Sequence, residues 1–564
     1  MTDRLPDELH DEFSARREIG QVVGGSLLEG LTMKLNAGES VEDVRAGKFV
    51  VVDGEKHQFF SMITDVVLST SASGIEHNPP GREDRLMHRV LSGTTTYGTI
   101  KLRPMLMLPT GSEGSDPEKD LRPVKTIPGH FSPVYTATAQ DVSRVFGDER
   151  IDPRYFHIGA PLDMADIPVC LDLERFVERS NGIFGKSGTG KTFLTRIVLC
   201  GIIRNRKAVN LVFDMHSEYG WEGQYETREG QRTVPGLKRH FQDRVAVFSL
   251  DVESSKRRKS PVDHEIKIPY SQITIDDIIL LQGELNLPPT AVETCYALVQ
   301  KYGDSWITRF LSLSLSDMKD VSEEINVHPQ SLSALQRRLN VLTQTCSGFL
   351  TERPDGGETD AVDAIMNYLG SGKHVVVEFG QHRRPLQYML VANILTRRIH
   401  DLYVRETEKW MGGSGAKPAP LVITIEEAHK FLSPSLASQT IFGTIAREMR
   451  KYFVTLLVVD QRPSGIDREI LSQVGTKITC LLNDDRDIDA VLEGVSNASG
   501  LKGVLASLDS KQQALVLGHA VPMPIVVETR DYNDPKFRES MVDRGGSTDK
   551  PDEVIEREIE RDFA

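Results

Sequence analysis

The stretch IFGKSGTGKTFLTRI, residues 183–197, decides the fold of this chain. It contains the pattern GxxxxGKT, in which backbone N–H groups of a glycine-rich loop bind phosphate oxygens and the next helix points its positive end at them. The pattern predicts that Lys191 neutralises the β- and γ-phosphates of ATP and that the Thr192 hydroxyl holds Mg²⁺. The alternative, a glycine-rich turn before an ordinary helix, carries little weight in an α/β context. The residues predicted to bind the nucleotide are Gly185, Lys186, Ser187, Gly188, Thr189, Gly190, Lys191, Thr192 and Phe193.

Strand-like and helical segments alternate after this loop. Continuous Val/Ile/Leu runs between helical segments are typical of a mostly parallel sheet that is buried on both faces. The runs are VNLVFD (209–214), HVVVEFG (374–380), LVITIEEAH (421–429), FVTLLVVDQ (453–461), TKITCLL (476–482), QALVLG (513–518) and PIVVET (524–529). The predicted fold class is therefore α/β, with a RecA-like P-loop ATPase core.

Segments outside this core have different patterns. Short β-prone runs separated by glycine-containing turns precede the loop and predict a small antiparallel β-barrel, whereas a later stretch has helical patterns and almost no strands. The predicted domains are an N-terminal tail (1–16), the barrel (17–150), the first part of the core (151–272), a helical insertion (273–370), the second part of the core (371–540) and an acidic C-terminal tail (541–564).

Length and composition indicate a multidomain protein without a membrane segment. The chain has 564 residues, 39% of them hydrophobic, and contains no run of about 18 apolar residues of the kind that a membrane helix requires. Its acidic N-terminus does not resemble a signal peptide, so we expect a cytoplasmic protein. Five scattered cysteines without a CxxC pair predict neither a zinc site nor disulfides. The net charge of −14 argues against a surface coated for nucleic acid, although a basic lining remains compatible with it.

Acidic residues at the ends of predicted strands supply the second half of an ATPase site. After the strand in LVITIEEAH, Glu426 is predicted to direct the metal and Glu427 to polarise the attacking water. The alternative is a pair of carboxylates that favour a helix start. Gln461 is predicted to contact the γ-phosphate, with an ordinary loop glutamine as the alternative. Asp214 and Glu218 follow another strand of the same sheet and are assigned a place near the nucleotide edge.

Two arginines in IAREMRKYF, Arg447 and Arg450, are three residues apart and are predicted to share one helix face. Solvated or salt-bridged surface arginines are the common alternative. A ring-shaped ATPase, however, needs an arginine from a neighbouring subunit to neutralise the charge that develops during phosphoryl transfer. The role of these arginines therefore depends on whether the protein forms rings.

The barrel, GKSGTGKT, EEAH, the REMRKY helix and the DQRPS segment together resemble the HerA family of bacterial and archaeal translocases, which are relatives of FtsK. The resemblance extends from about residue 17 to residue 530. It implies a homohexamer that moves double-stranded DNA through a central channel with ATP. It also implies a NurA-type nuclease docked on the barrel, and a role in DNA end resection, homologous recombination and repair.

The resemblance also implies residue roles. Glu427 becomes the catalytic carboxylate, Gln461 the sensor and Arg450 the arginine that reaches the adjacent subunit, with Arg179 as a second trans-acting arginine. Glu426 stands where many relatives carry Asp, which leaves direct or water-mediated metal contact open.

The channel and the partner are not decided by the sequence. Channel candidates are the loop with Trp221, Lys373, and the run SKRRK (255–259), for which a solvated loop is the alternative. A second hypothesis is a HerA-like ring that scaffolds and regulates an antiviral nuclease or sirtuin-type NAD-consuming effector. A phosphate-loop kinase or GTPase is disfavoured, because no NKxD-type guanine-reading segment is present.

Overall fold

The computed structural model of the chain describes residues 16–541, except for 72, 78, 82, 92–95, 112–119, 228–229, 353–359, 438–439 and 496–497. Both predicted tails, apart from residues 16 and 541, lie outside the described residues. The described part confirms the α/β class, with a barrel, a large sheet and a helical insertion. The domain bounds stay predictions.

Six strands of the N-terminal region form a closed antiparallel barrel within the described residues. The order is β1-β7-β3-β4-β5-β2, and β2 returns to β1, while the short β6 pairs with residues 106–107 of β5. Helices α1 and α2 lie between β4 and β5, and α3 follows β7. The bounds are β1 Glu18–Ser26, β2 Gly30–Leu35, β3 Phe49–Asp53, β4 His57–Thr70, α1 Ser73–His77, α2 Arg85–Leu91, β5 Thr96–Pro109, β6 Arg122–Pro123, β7 Pro133–Thr136 and α3 Ala139–Phe146.

The side chains of β3 alternate between two faces, and this alternation explains how the barrel interior is filled and how the barrel is attached to the ATPase core. Val50 and Val52 point into the barrel interior with Ile63 and Leu102. The intervening residues of β3 pack outside the barrel against α3 and the ATPase core. The two sets differ because successive side chains of a strand point to opposite faces. One strand therefore both closes the barrel and fastens it to the core.

The core sheet has twelve strands among the described residues, in the order β15-β14-β18-β11-β19-β20-β10-β21-β22-β23-β8-β9. The strands from β15 to β21 in this order are parallel, and the last four pair antiparallel. The bounds are β8 Tyr155–Pro161, β9 Val169–Asp172, β10 Asn181–Phe184, β11 Val209–Asp214, β14 Val245–Ser249, β15 His264–Glu265, β18 His374–Glu378, β19 Leu421–Glu426, β20 Val454–Asp460, β21 Thr476–Thr479, β22 Gln513–Gly518 and β23 Ile525–Thr529. Two small sheets contain β12 Glu222–Thr227 with β13 Gly230–Pro235, and β16 Ile268–Pro269 with β17 Leu350–Thr351.

Helices cover both faces of this sheet. Val212 of β11 packs in the cluster that contains helix α5 (Lys191–Asn205), whereas its neighbours Leu211 and Phe213 pack in the cluster that contains helix α14 (Pro385–Met411). The helices outside the insertion are α4 Leu173–Val177, α5 Lys191–Asn205, α6 Leu237–Phe241, α7 Val252–Arg257, α14 Pro385–Met411, α15 His429–Leu432, α16 Ile441–Glu448, α17 Arg468–Gln473, α18 Asp485–Leu492, α19 Ala498–Ala506 and α20 Pro535–Met541. Parallel strands buried on both faces read as continuous apolar runs, which is why the sequence located them.

The helical insertion packs on the α14 side of the sheet. Trp306 is 2% exposed and belongs to the same apolar cluster as α14. The fully buried Asp277 also forms an ion pair at 2.9 Å with Arg397 of α14. The insertion helices are α8 Ile275–Leu280, α9 Pro289–Tyr302, α10 Trp306–Leu311, α11 Leu315–Glu324, α12 Pro329–Thr345 and α13 Ala361–Gly370. No helix of the described chain is long and apolar enough to cross a membrane.

Candidate active site

The phosphate-binding loop joins β10, a central strand, to α5. Its backbone has positive φ angles of 154° at Gly185, 80° at Gly188 and 97° at Gly190, which favour glycine. A Cβ on Gly185 would lie 2.8 Å from the Cβ of Cys480. Glycine is therefore required here both for conformation and for space.

Neighbouring strands hold the loop in place. The N–H of Gly185 donates to the Asp460 carbonyl at 3.3 Å, and that of Lys186 donates to the Leu481 carbonyl at 3.0 Å. Within the loop, the Thr189 hydroxyl donates to the Lys186 carbonyl at 2.7 Å. The loop is therefore fixed to the strand ends on both sides of β10 before any nucleotide binds.

Lys191 begins α5 beneath this loop, and its Nζ donates to the Lys186 carbonyl at 2.9 Å. Burial lowers the pKa of Lys191, while the nearby charges of Glu427, Asp460 and Glu426 oppose the shift. These acids are therefore close enough to Lys191 to act on it. The side chain of Phe193, by contrast, packs against Tyr532 on the side of α5, with 6.2 Å between ring centroids.

Four adjacent strands end in acidic residues that are buried at one edge of the sheet. In spatial order β18 ends at Glu378, β11 at Asp214, β19 at Glu426 and β20 at Asp460. Each of these residues is 8% exposed or less. Ligands of open α/β sheets bind at the carboxyl ends of the strands, which is also where the phosphate-binding loop lies.

Glu427 and Gln461, both predicted from sequence, meet at this edge. The Gln461 Nε2 donates to Oε1 of Glu427 at 3.3 Å. Glu427 has a φ of 51°, which is a left-handed conformation for a residue with a Cβ. Such conformations cost about 1–3 kcal/mol and cluster at functional sites, where the surrounding structure enforces them.

Glu426 lies deeper than Glu427. Its Oε1 accepts a hydrogen bond from the Tyr219 hydroxyl at 3.0 Å, and its backbone N–H and carbonyl both contact the Tyr388 hydroxyl. Burial raises the pKa of Glu426 to about 8, and the charges of Asp214 and Glu218 add to the shift. Its Oε2 is buried and has no hydrogen-bond partner among the described residues.

Asp214 shapes the turn after β11. It is fully buried, and its two carboxylate oxygens accept from the N–H groups of Glu218 and Tyr219, each at 2.8 Å. Burial raises the pKa of Asp214, and these hydrogen bonds oppose that shift. Asp214 thus positions the turn, and the partly buried Glu218 is close enough for its charge to contribute to the raised pKa of Glu426.

Asp460 and His429 complete the edge and were missed by sequence reasoning. Asp460 accepts from the backbone N–H and the ring Nδ1 of His429, at 2.7 Å and 3.0 Å. The interaction raises the pKa of His429 and lowers that of Asp460 despite its burial. Nδ1 of His429 also lies 3.7 Å from Oε2 of Glu427. The available signal was an aspartate directly before Gln461 and a histidine two residues after Glu427.

The candidate arginines have different locations. The side chain of Arg447 is 30% exposed at the end of α16, 4.0 Å from Glu469. The α-helix stops at Glu448, so Arg450 does not continue it but lies in the 3₁₀ turn Met449–Tyr452, which ends at the left-handed Phe453. The side chain of Arg450 is outside the described part. Arg179 is exposed before β10, at the sheet edge opposite its own phosphate-binding loop.

The residues that are candidates for lining the channel also lie in different parts of the structure. Lys373 precedes β18 at the amino edge and covers the Tyr368 ring at 5.4 Å. The indole N–H of Trp221 donates a hydrogen bond of 2.6 Å to the Pro261 carbonyl, which fixes the position of the side chain. The run 255–259 begins in α7 at the carboxyl edge and exposes Lys256, Arg257 and Lys259.

The residues present fit Mg²⁺ as a partner of bound nucleotide. No cluster of three or more His, Cys, Asp or Glu side chains able to hold a metal exists within the described ranges. Mg²⁺, however, usually takes only one or two protein oxygens, with phosphates and waters as its other ligands. The Thr192 hydroxyl beside the loop and the unpartnered Oε2 of Glu426 are oxygen ligands of this kind.

A phosphate-binding loop on a central parallel strand, with acids and a glutamine at the ends of the neighbouring strands, defines a P-loop ATPase with a RecA-like core. The model of the helicase HerA central domain matches residues 156–399, and the HAS barrel domain model matches residues 19–126. The chain belongs to the HerA family, as its resemblance to that family predicted.

Two relatives and one solved structure illustrate the similarity. A Methanocaldococcus jannaschii protein named "Probable DNA double-strand break repair helicase HerA" is 34% identical over 423 residues, which cover 68% of this chain and 78% of the relative. "DNA double-strand break repair helicase HerA" of Sulfolobus acidocaldarius is 25% identical over 92% of this chain and 96% of the relative. The structure of VirB4 of Thermoanaerobacter pseudethanolicus has a TM-score of 0.46 at 14% identity, covering 68% of this chain and 98% of that one.

Proposed function

We propose that this protein is an ATP-driven homohexameric translocase or helicase for double-stranded DNA that acts with a NurA-type nuclease in DNA end resection and recombinational repair. The observation that carries the proposal is the contact between Glu427 and Gln461 at the ends of adjacent strands, next to the phosphate-binding loop. The names of the relatives, which describe DNA double-strand break repair helicases, support the DNA substrate.

The proposed hydrolysis uses three groups of this chain. Lys191 and the loop N–H groups bind the phosphates, Glu427 takes a proton from the attacking water, and Gln461 senses the γ-phosphate. Thr192 and Glu426 would hold Mg²⁺, which neutralises charge on the phosphate oxygens. Glu426 is suited to a cation because burial, together with the charges of Asp214 and Glu218, disfavours its ionised form unless a cation balances it.

The proposed ring supplies an arginine to each site from the adjacent subunit, and Arg450, Arg447 and Arg179 are the candidates. The proposed nuclease docks on the barrel. Two large apolar side chains of the barrel region, Leu28 at 79% and Phe131 at 71%, are exposed and available to such a partner. This surface serves equally in the alternative proposal, a ring that scaffolds and regulates an antiviral effector.

The deciding experiment is steady-state ATP hydrolysis with and without linear duplex DNA, with Lys191→Ala as the blank. Strong stimulation by duplex DNA is expected. A rate of ATP hydrolysis that is unaffected by DNA but changes with a co-purified effector would contradict the translocase proposal and favour the scaffold. The oligomeric state, measured by mass photometry with nucleotide bound, tests the hexamer separately.

A further inference from the structure

An exposed basic surface lies at the carboxyl ends of β14 and β18, the same edge of the sheet that carries the ATP site. It consists of Lys256, Arg257 and Lys259, together with Arg383 and Arg384 after β18, and we call it the basic edge. All five residues are exposed in a chain whose net charge is −14. The two segments are neighbours because β14 and β18 pair in parallel, and the Gln381 N–H donates to Asp251 at 3.2 Å.

We propose that the basic edge binds phosphates of duplex DNA and that the Arg258–Glu378 ion pair and Tyr219 transmit this contact to Glu426. The inference rests on the proposed function, and it adds which surface receives the DNA and how the ATP site responds.

The nucleic-acid assignment follows from charge and exposure. Residues 253–259 carry four cations and a single acid, Glu253. Glu253 pairs with Lys256 at 3.0 Å, but the side chains are 72% and 54% exposed, and an exposed pair of this kind contributes little. Clustered Lys and Arg bind phosphates by releasing counterions, and this contribution does not depend on base sequence.

The basic edge is anchored to a buried acid. Arg258, whose side chain is 30% exposed, donates to Oε2 of Glu378 at 2.7 Å, and the Ser255 hydroxyl donates to the same oxygen at 3.4 Å. Glu378 itself is 1% exposed. Moving Arg258 would leave the buried Glu378 without its cation, and breaking a buried ion pair by removing one partner is strongly destabilising. The two groups are therefore expected to move together.

The loop after β11 connects this anchor to the ATP site. A Cβ on Gly220 would lie 2.3 Å from Oε1 of Glu378, so this carboxylate packs directly on the loop backbone. The Trp221 indole N–H donates to the carbonyl of Pro261, just beyond the basic run. One residue before Gly220, the Tyr219 hydroxyl donates to Glu426. A single short loop thus contacts Pro261 next to the basic edge, the buried Glu378 and the proposed metal-directing acid Glu426.

The first experiment tests the surface. We expect the combined substitution Lys256→Ala, Arg257→Ala and Lys259→Ala to weaken binding of fluorescein-labelled linear duplex DNA, measured by anisotropy over a range of salt. The slope of log affinity against log salt should fall by roughly 0.9 for each lost phosphate contact.

Basal hydrolysis without DNA should stay unchanged in this variant. The matched control removes three exposed cations from the insertion, by Lys319→Ala, Arg337→Ala and Arg338→Ala. Equal DNA affinity and slope in the two variants would overturn the surface assignment.

The second experiment tests the transmission. Coupling is reciprocal, so a non-hydrolysable ATP analogue should change DNA affinity by the same factor by which DNA changes analogue affinity. In Arg258→Gln and in Tyr219→Phe, both factors should approach one, while each ligand still binds alone. Arg258→Lys keeps the ion pair and should retain most of the coupling.

The possible outcomes distinguish failure of the proposed transmission from failure of the translocase proposal. Unaltered factors in Arg258→Gln would overturn the transmission and leave the translocase proposal standing. If the unaltered protein neither binds duplex DNA nor responds to it, the proposed function fails and this inference fails with it.

Discussion

Glu427 combines a left-handed backbone conformation with a contact to Gln461, and both features fit its proposed role as the base that activates water. The left-handed φ of 51° turns the chain at the end of β19, so that Glu426 stays buried while Glu427 reaches the edge with its side chain 25% exposed. Two consecutive glutamates thereby acquire different environments. The buried one is suited to a cation and the accessible one to water.

Substituting Glu427→Gln should leave nucleotide binding intact while turnover falls about 10²–10⁴-fold, because the amide cannot accept a proton from water. Fluorescent-nucleotide titration and steady-state hydrolysis measure the two properties. The matched control is Glu448→Gln, an exposed glutamate whose side chain is 60% accessible. Loss of binding in Glu427→Gln would contradict the role of base.

Gly185→Ala should damage the phosphate-binding loop. The new Cβ would collide with Cys480 in a backbone conformation that side chains rarely adopt. The cost of about 1–3 kcal/mol corresponds to a roughly 5- to 150-fold loss of nucleotide affinity if the loop relaxes. Gly503→Ala in α19 is the control, since a Cβ there meets open space. Equal nucleotide affinity in both variants would contradict the requirement for glycine.

The residues that sequence reasoning identified are those whose role follows from a pattern of neighbouring residues in the sequence. Lys191 follows from the loop pattern, and Glu427 from the end of an apolar strand. Tyr219 and Glu378 could not be found in this way. Tyr219, for example, contacts Glu426, which lies 207 residues further along the chain. Such contacts depend on strand order, which local patterns do not encode.

Among the elements, the strands were predictable and their arrangement was not. The runs beginning at residues 513 and 524 read as strands, and the structure has them as β22 and β23. Their antiparallel pairing at one end of the sheet has no local signature. The 3₁₀ turn at Arg450 was equally hidden, since its sequence fits a continuing helix. It places Arg447 and Arg450 in different elements.

A buried lysine joins β21 to α18. Lys477 is 3% exposed, and its Nζ donates to the carbonyls of Val491 and Glu493 at the C-terminal end of α18, where a cation is favourable. Burial nevertheless lowers the pKa of Lys477 to about 8. The folded protein therefore holds this lysine neutral at a pH where the unfolded chain would protonate it.

The free energy of unfolding should consequently rise with pH because of the titration of Lys477. Between about pH 8 and pH 10.5 the unfolded state binds more protons at Lys477, so the folded state gains up to about 3 kcal/mol across the window. We expect Lys477→Met to lack this gain. The Tm of the unaltered protein relative to Lys477→Met should therefore increase from pH 7.5 to pH 10. A Tm difference independent of pH would contradict the lowered pKa of Lys477.

For the whole molecule, an acidic exterior is compatible with DNA as a substrate only if the cations are concentrated where DNA passes. The basic edge meets this condition, because it lies at the carboxyl edge of β14 and β18, the same edge that carries the ATP site. In a ring, the same geometry would repeat in every subunit. Hydrolysis in one subunit would then depend on its neighbour as well as on DNA.

A trans-acting arginine can be tested in mixed rings. Lys191→Ala and Arg450→Ala subunits should each be inactive alone, the first because it cannot bind phosphate and the second because it gives its neighbour no arginine. In rings mixed in equal amounts, about one quarter of the sites combine an intact Lys191 with an intact Arg450 from the adjacent subunit. Hydrolysis should therefore return to roughly that fraction of the unaltered rate.

An arginine that acted within its own subunit would give no rescue, because no subunit of the mixture carries both intact residues. The same mixture with Arg447→Ala in place of Arg450→Ala distinguishes the two arginines, since only the residue that reaches the neighbouring site should complement Lys191→Ala. Differently tagged subunits and tandem purification establish that the rings are mixed. Absence of rescue in such rings, with either arginine, would contradict a trans-acting role for both, and Arg179 is the next candidate to be tested.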